Sequence, residues 1–230
     1  MKAPSSITIK NRRAFSLIEL IVVIAIIVLI AGFTVPAATT ILRGSALSQA
    51  SNTIVGQISL ARQQALTKNR AVEVRFYRFA DPETPGEDVS NPSSGKFRAL
   101  QLFEVLENGV AVPLDKPQML PNNVVFAYAE EEGGLSSIID KAKAGTPKRP
   151  GTDDRAAPRL PRGIDYKYEF VSFRFLQDGS TDLTPTDTWY VTLIGLTDKL
   201  PAPNRPPANF FTVQVDPVSG STRTFRPTAG

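Results

Sequence analysis

Between residues 17 and 35 the chain is apolar almost without interruption, LIELIVVIAIIVLIAGFTV, with one charge, Glu19. As a helix this run rises about 29 Å, close to the ~30 Å hydrocarbon thickness of a bilayer. In lipid a helix is the one way a single segment satisfies its own backbone. Beyond it the pattern becomes one-sided. Leu47, Ala50, Ile54, Ile58, Ala61 and Ala65 recur every three or four positions, the stripe of an amphipathic helix. Arg62 and Lys68 near its end suit the negative pole of the helix dipole. The spacing predicts a helix from Phe15 to about Lys68, with Gly32, Pro36 and Gly44 as places to bend.

From Ala71 the period changes to two. Val72, Val74 and Phe76 alternate with Glu73, Arg75 and Tyr77, which predicts a half-buried strand. Further strands are predicted at Lys96–Leu106, Val124–Tyr128, Tyr166–Leu176, Trp189–Leu196 and Phe210–Val215. Thr222–Arg226 pairs back across the turn 216–220, and Asp178-Gly179 marks a hairpin. One long helix followed by antiparallel strands is an α+β order. The expected architecture is a long N-terminal transmembrane helix packed on an antiparallel β-sheet or β-sandwich. Its parts are a leader at 1–14, a membrane and assembly helix at 15–36, an amphipathic continuation at 37–70 and a β-rich domain at 71–230.

Composition narrows the chemistry. With 42% hydrophobic and 21% charged residues the chain can build a packed core. It has no Cys and no His, which removes disulfide frameworks, thiolate or imidazole metal sites and His-based catalysis. The net charge of +4 belongs to the head: Lys2, Lys10, Arg12 and Arg13 precede the apolar run, and without them 22 basic residues face 22 acidic ones. Cations at that end hold it in the cytoplasm and send the remainder across the membrane. A secretory signal peptide cut near Ala31, Ala37 or Ala38 is one alternative. A plain signal anchor is another, but it gives no account of Glu19, whose carboxylate costs about 2.5–3.5 kcal/mol near a bilayer centre and less near its edge.

Arg13-Ala14-Phe15-Ser16-Leu17-Ile18-Glu19-Leu20 and the Ile/Val/Ala run after it resemble the cleavage and methylation segment of type IV pilins and type II secretion pseudopilins. The resemblance implies that prepilin peptidase cuts between Ala14 and Phe15 on the cytoplasmic side and methylates the new amino terminus of Phe15. It places Glu19 at the family's acidic fifth mature position and Pro36 where many pilins carry a helix-bending proline. Ala14 departs from the Gly usual before the cut. Physically, the new amine of Phe15 and the Glu19 carboxylate are opposite charges. A carboxylate in an apolar bundle is relieved by a neighbouring subunit's amine, which sets axial register. Ile58–Ala65 before a strand, Leu120-Pro121, and Phe175-Leu176-Gln177-Asp178-Gly179-Ser180 resemble H-type minor pseudopilins (the FimT/GspH group), in which a β-sandwich packs on the helix. A closer similarity is to the pilin-like Verru_Chthon cassette protein D family. The implied function is structural: a minor subunit of a pilus or pseudopilus in the inner membrane, with its globular domain on the periplasmic side and other pilin subunits as partners.

Two stretches read as loops. Asp81–Ser94 is rich in Pro, Gly and acid, and 133–163 carries seven Lys and Arg against three Asp. An excursion of that length signals either a solvated flexible loop or a contact surface for another pilus component or a polyanion. Asp178, Asp182 and Asp187 near one hairpin are the candidate Ca²⁺ ligands, without EF-hand spacing. Arg223 and Arg226 flank Phe225, a pattern that can hold phosphate and stack a base. Some FimT-like minor pilins use such C-terminal basic residues on DNA, so nucleic acid is the alternative partner. No P-loop, dinucleotide fingerprint or Ser-based motif is present, and no enzyme activity is expected.

Overall fold

The predicted helix and strands form close to where their periodicities place them. The computed structural model describes residues 16–129, 134–140, 148, 160, 164–165, 167–198 and 205–227, except the side chains of 32–43. Helix α1 spans Leu17–Lys68. The chain divides into two units, Met1–Leu42 and Arg43–Gly230, and α1 contributes to both.

In the second unit nine strands follow α1: β1 Val72–Phe79, β2 Lys96–Val105, β3 Ala111–Pro113, β4 Gln118–Met119, β5 Val124–Phe126, β6 Glu169–Phe175, β7 Trp189–Gly195, β8 Phe211–Val215 and β9 Thr222–Phe225. All pair antiparallel in a single hydrogen-bonded sheet ordered β6-β1-β2-β5-β7-β8-β9, with β3 and β4 also paired to β2. The second edge of β2 is shared among β3, β4 and β5 in turn. This is why the short strands at 111–113 and 118–119, absent from the sequence expectation, exist at all.

The predicted stripe is the buried face of α1: Leu47 is 2% exposed, and Ala50, Ile54, Ile58, Ala61 and Ala65 are 0%. It packs on Val72, Val74 and Phe76 of β1 and on Phe173 and Phe175 of β6. The same cluster takes in Trp189, Val191 and Leu193 of β7 with Val213 and Val215 of β8. Alanines at three of the six stripe positions let the helix approach, and rings fill the sheet side. Phe76 stands edge-on to Phe126 at 5.2 Å and stacks on Phe173 at 6.3 Å.

β1 departs from expectation. It is buried on both faces rather than one, because Ile164, Tyr168 and Phe170 cover its outer side with Tyr77, Phe79 and Phe103. Polar residues trapped there are paired. Arg75 Nε donates to Glu73 Oε1 at 2.6 Å, Arg174 Nη2 reaches Glu73 Oε2 at 2.9 Å, and the Arg75 guanidinium lies 4.1 and 4.6 Å from the Phe103 and Phe170 rings. Burial alone would raise the Glu73 carboxyl, but the two arginines outweigh it and hold it below the usual range.

The acidic segment after β1 is not a free loop. Arg98, 6% exposed, donates to Asp81 Oδ2 at 3.0 Å, Glu87 Oε1 at 2.6 Å and Thr84 Oγ1 at 3.3 Å. Arg78 donates to the Gly95 and Ser93 carbonyls, faces Glu169 and lies over the Tyr128 ring. Gly95 is required where the chain re-enters the sheet, since a Cβ there would lie 2.1 Å from the Phe79 backbone.

The expected flexible loop at 133–163 is corrected where it is described: Leu135 through Asp140 are buried. Ser136 Oγ accepts from Thr192 N, Ser137 Oγ from Tyr190 N, and Ile138 N donates to Tyr190 O, so two serine side chains complete β7's edge in place of a strand. Asp140 closes the segment by accepting from Ala129 N and Ser136 N at 2.9 and 3.0 Å. Burial pushes its carboxyl up to about 6 despite those two bonds. Both sheet ends are also managed. Lys148 and Asp182 bond the outer edge of β6, while β9 is four residues long and carries Arg223 with Arg226 and Pro227 just after it.

Candidate functional site

The first turn of α1 is built by Ser16 and Glu19. Leu20 N donates to Ser16 O at 3.2 Å, and Glu19 Oε2 accepts from Ser16 N at 3.0 Å. The latter bond is the return arm of a capping box, in which an acid at the third helical position satisfies the cap residue's own N–H. The Ser-x-x-Glu spacing was legible at 16–19 and is absent from the sequence expectation above. Glu19 therefore has an intrachain role in starting the helix, besides the register role implied by resemblance.

Around this carboxylate lie twelve exposed large apolar side chains, from Leu17 at 76% to Ile30 at 56%. They surround the helix instead of marking one face, and a helix apolar all round is stable only inside an apolar medium. At about 1.5–3 kcal/mol per large side chain buried, the gain is on the order of 20 kcal/mol. That exceeds several-fold the cost of one carboxylate taken in near an end. Among the described residues no helix is long and apolar enough to cross a membrane. The apolar side chains described run from Leu17 to Ala31, about 22 Å of helix, and the predicted span continues past them to Val35. Ala14 and Phe15, the expected cleavage pair, lie outside the described residues.

The three candidate Ca²⁺ ligands are not brought together. Asp178 Oδ1 caps its own turn, accepting from Ser180 N and Oγ at 2.9 and 2.6 Å. Those bonds hold its carboxyl below the usual range. Asp182 Oδ1 accepts from Arg174 N at 2.8 Å on the edge of β6, where burial raises its carboxyl. Asp187 sits in a separate turn, its N–H donating to Thr184 O. Among the described residues no group of three or more acids is placed to hold a metal. Asp-Gly and Asx turns account for these aspartates through the backbone alone.

Nor do Arg223 and Arg226 form one basic surface around Phe225. Register places Arg223 in a cross-strand row with Gln214 and Tyr190, and Phe225 in the next row with Thr212 and Thr192, on the outer face of the sheet. Arg226 turns to the helix instead, where Nη1 donates to Ser48 Oγ at 3.0 Å.

Residues 9–35 match the model of the family described as the prokaryotic N-terminal methylation motif. The pilin-type resemblance of the N-terminus is thus borne out over the segment that contains Ala14, Phe15 and Glu19. No curated protein matches. Among solved structures, the minor pseudopilin EpsH from the type 2 secretion system of Vibrio cholerae is similar in two determinations. They are 10% and 12% identical, cover 80% and 82% of this chain and 98% and 99% of their own, and have TM-scores of 0.41 and 0.42. The type IV minor pilin FimU of Pseudomonas aeruginosa PAO1 is 11% identical over 79% of this chain and 88% of its own, with a TM-score of 0.37. Likenesses at these identities and scores establish neither a machine nor a partner for this chain.

Proposed function

We propose that this protein is a structural, pilin-like subunit. Prepilin peptidase removes residues 1–14, methylates Phe15, and leaves the chain held in the inner membrane by its N-terminal helix. From there it joins a pilus or a type II secretion pseudopilus as a minor component. The observation that carries this reading is the α1 segment from Leu17 to Ile30, apolar on every side and exposed, with Glu19 as its one charge, inside a matched methylation motif. Such a surface has two compatible surroundings, lipid and the packed interior of a helical filament, and a pilin-like subunit passes from the first to the second.

Glu19 caps its own helix in the single chain and pairs with a neighbour's Phe15 amine in the assembly, relieving the carboxylate of its cost in apolar surroundings. The globular unit, on the periplasmic side, presents the contacts that distinguish this subunit from others, and no catalytic role is assigned to it. The test is a Glu19→Ala variant expressed in cells. Membrane insertion is retained and incorporation into filaments sheared from the cell falls sharply. Incorporation at the level of the unsubstituted chain refutes the register role.

A further inference from the structure

We infer that the cleft between the 81–87 turn and the β4–β5 connection is a docking site for a Lys or Arg side chain on an extended segment of a partner protein. The cleft holds about 290 Å³ within the globular unit. One wall is apolar: Met119, 41% exposed, with Pro121 and Pro82. The opposite rim carries Asp81 and Glu83, with Arg98 also lining it.

Charge in this cleft is out of balance. Asp81, Glu83 and Glu87 bring three carboxylates to one turn. Arg98, itself buried, answers two of them through its Nη atoms. The Glu83 carboxylate stands exposed and makes no bond with any described residue, so the rim keeps a net negative charge. Arg98 also keeps an unmet donor: its Nε–H is buried and has no acceptor. The occupant must therefore supply a cation at the rim, apolar atoms along Met119 and Pro121, and a carbonyl for a buried N–H.

A metal ion fails two of these requirements, and among the described residues no acidic group is arranged for one. A Lys or Arg side chain with its own backbone meets all three, since its methylene stem covers apolar surface while its head stays at the carboxylate. The turn is also held open and rigid before anything binds. Asp81 N donates to Glu87 Oε2, Glu83 N to Asp81 Oδ1, and Arg98 ties the turn to β2, so little ordering is left to oppose docking.

The chain's composition supplies the assay. Its two methionines are Met1 and Met119, so the Met119 methyl group is a resolvable NMR reporter inside the cleft. The full-length protein in detergent micelles is titrated with the blocked tripeptide Ac-Ala-Arg-Ala-NH2 and, separately, with its norleucine counterpart. A saturable Met119 methyl shift is expected with the arginine peptide, with a dissociation constant on the order of 1 mM. Binding should weaken about fivefold in Glu83→Gln, whose exposed side chain does not support the fold. No shift with the arginine peptide, an equal shift with the norleucine peptide, or an unchanged affinity in Glu83→Gln overturns the proposal.

Discussion

Replacing Arg98 with Met removes one charge from the interior and exposes what that charge holds. The side chain is 7% exposed, and its two partners differ: the Glu87 side chain is 5% exposed, that of Asp81 30%. At an effective dielectric near 20 and charge centres about 4 Å apart, the attraction to Glu87 is about 4 kcal/mol, set against the cost of desolvating both groups. Removing one partner of such a pair leaves the other buried and unpaired, at about 3–5 kcal/mol. Met keeps the apolar stem and eliminates the unmet Nε donor, so the loss belongs to the ion pair. Urea unfolding of the full chain in detergent, followed by Trp189 fluorescence, measures it. Glu87→Gln alone should cost less. The double variant should be more stable than the sum of the two losses predicts, by about 2 kcal/mol, because the second change removes the stranded charge. The segment 81–94 should become sensitive to protease in Arg98→Met. Stability within about 1 kcal/mol of the parent, or strict additivity in the cycle, refutes the claim that a buried arginine rather than solvent orders this segment.

Two other substitutions probe separate parts of the fold. The Asp140 carboxyl titrates near 6 in the folded chain and lower when unfolded. Its contribution to stability is therefore complete below about pH 4 and lost as pH rises through about 6, by about 1–2 kcal/mol after allowance for solvent screening. The depressed carboxyls of Glu73 and Glu104 slope the opposite way, so the readout is a difference. Asp140→Asn should gain on the parent by that amount between about pH 4.5 and about pH 7.5, and a constant difference contradicts the assignment. Gly95→Ala forces a methyl group into the Phe79 backbone and should cost about 3 kcal/mol or more by thermal unfolding; a cost under about 1 kcal/mol would mean the strand ends separate freely.

How much of this was readable in advance depended on the range of the interaction. The α1 stripe from Leu47 to Ala65 was legible because a helix buries every third or fourth residue, whatever packs on it. The hairpin after Phe175 was legible because Asp178-Gly179 specifies a turn locally, and Gly179 adopts φ +82° there. Burial of β1 on both faces was not, since Ile164 and Tyr168 lie far along the chain and nothing in Val72–Tyr77 announces a second cover. The same limit hid the arginine clasps: Arg98 answers acids 11 to 17 positions away, and an acidic Pro/Gly segment with no visible partner looks like a loop. Ser136 and Ser137 standing in for a strand leaves no periodic trace. Asp178, Asp182 and Asp187 misled for the opposite reason. Their closeness in sequence suggested a site, while each one is consumed by its nearest backbone N–H or turn. In the N-terminal segment the chemistry is local, carried by a basic head, Phe15, Glu19 and the apolar run, and there the sequence expectation and the family motif agree over residues 9–35.

The most direct test of the account is the intact mass of the native protein extracted from its own membranes, with fragmentation of the N-terminus. The account predicts a chain that begins at Phe15 and carries one added methyl group on its amine. A chain that still begins at Met1, in cells whose prepilin peptidase processes other substrates, contradicts it and leaves α1 as an anchor alone.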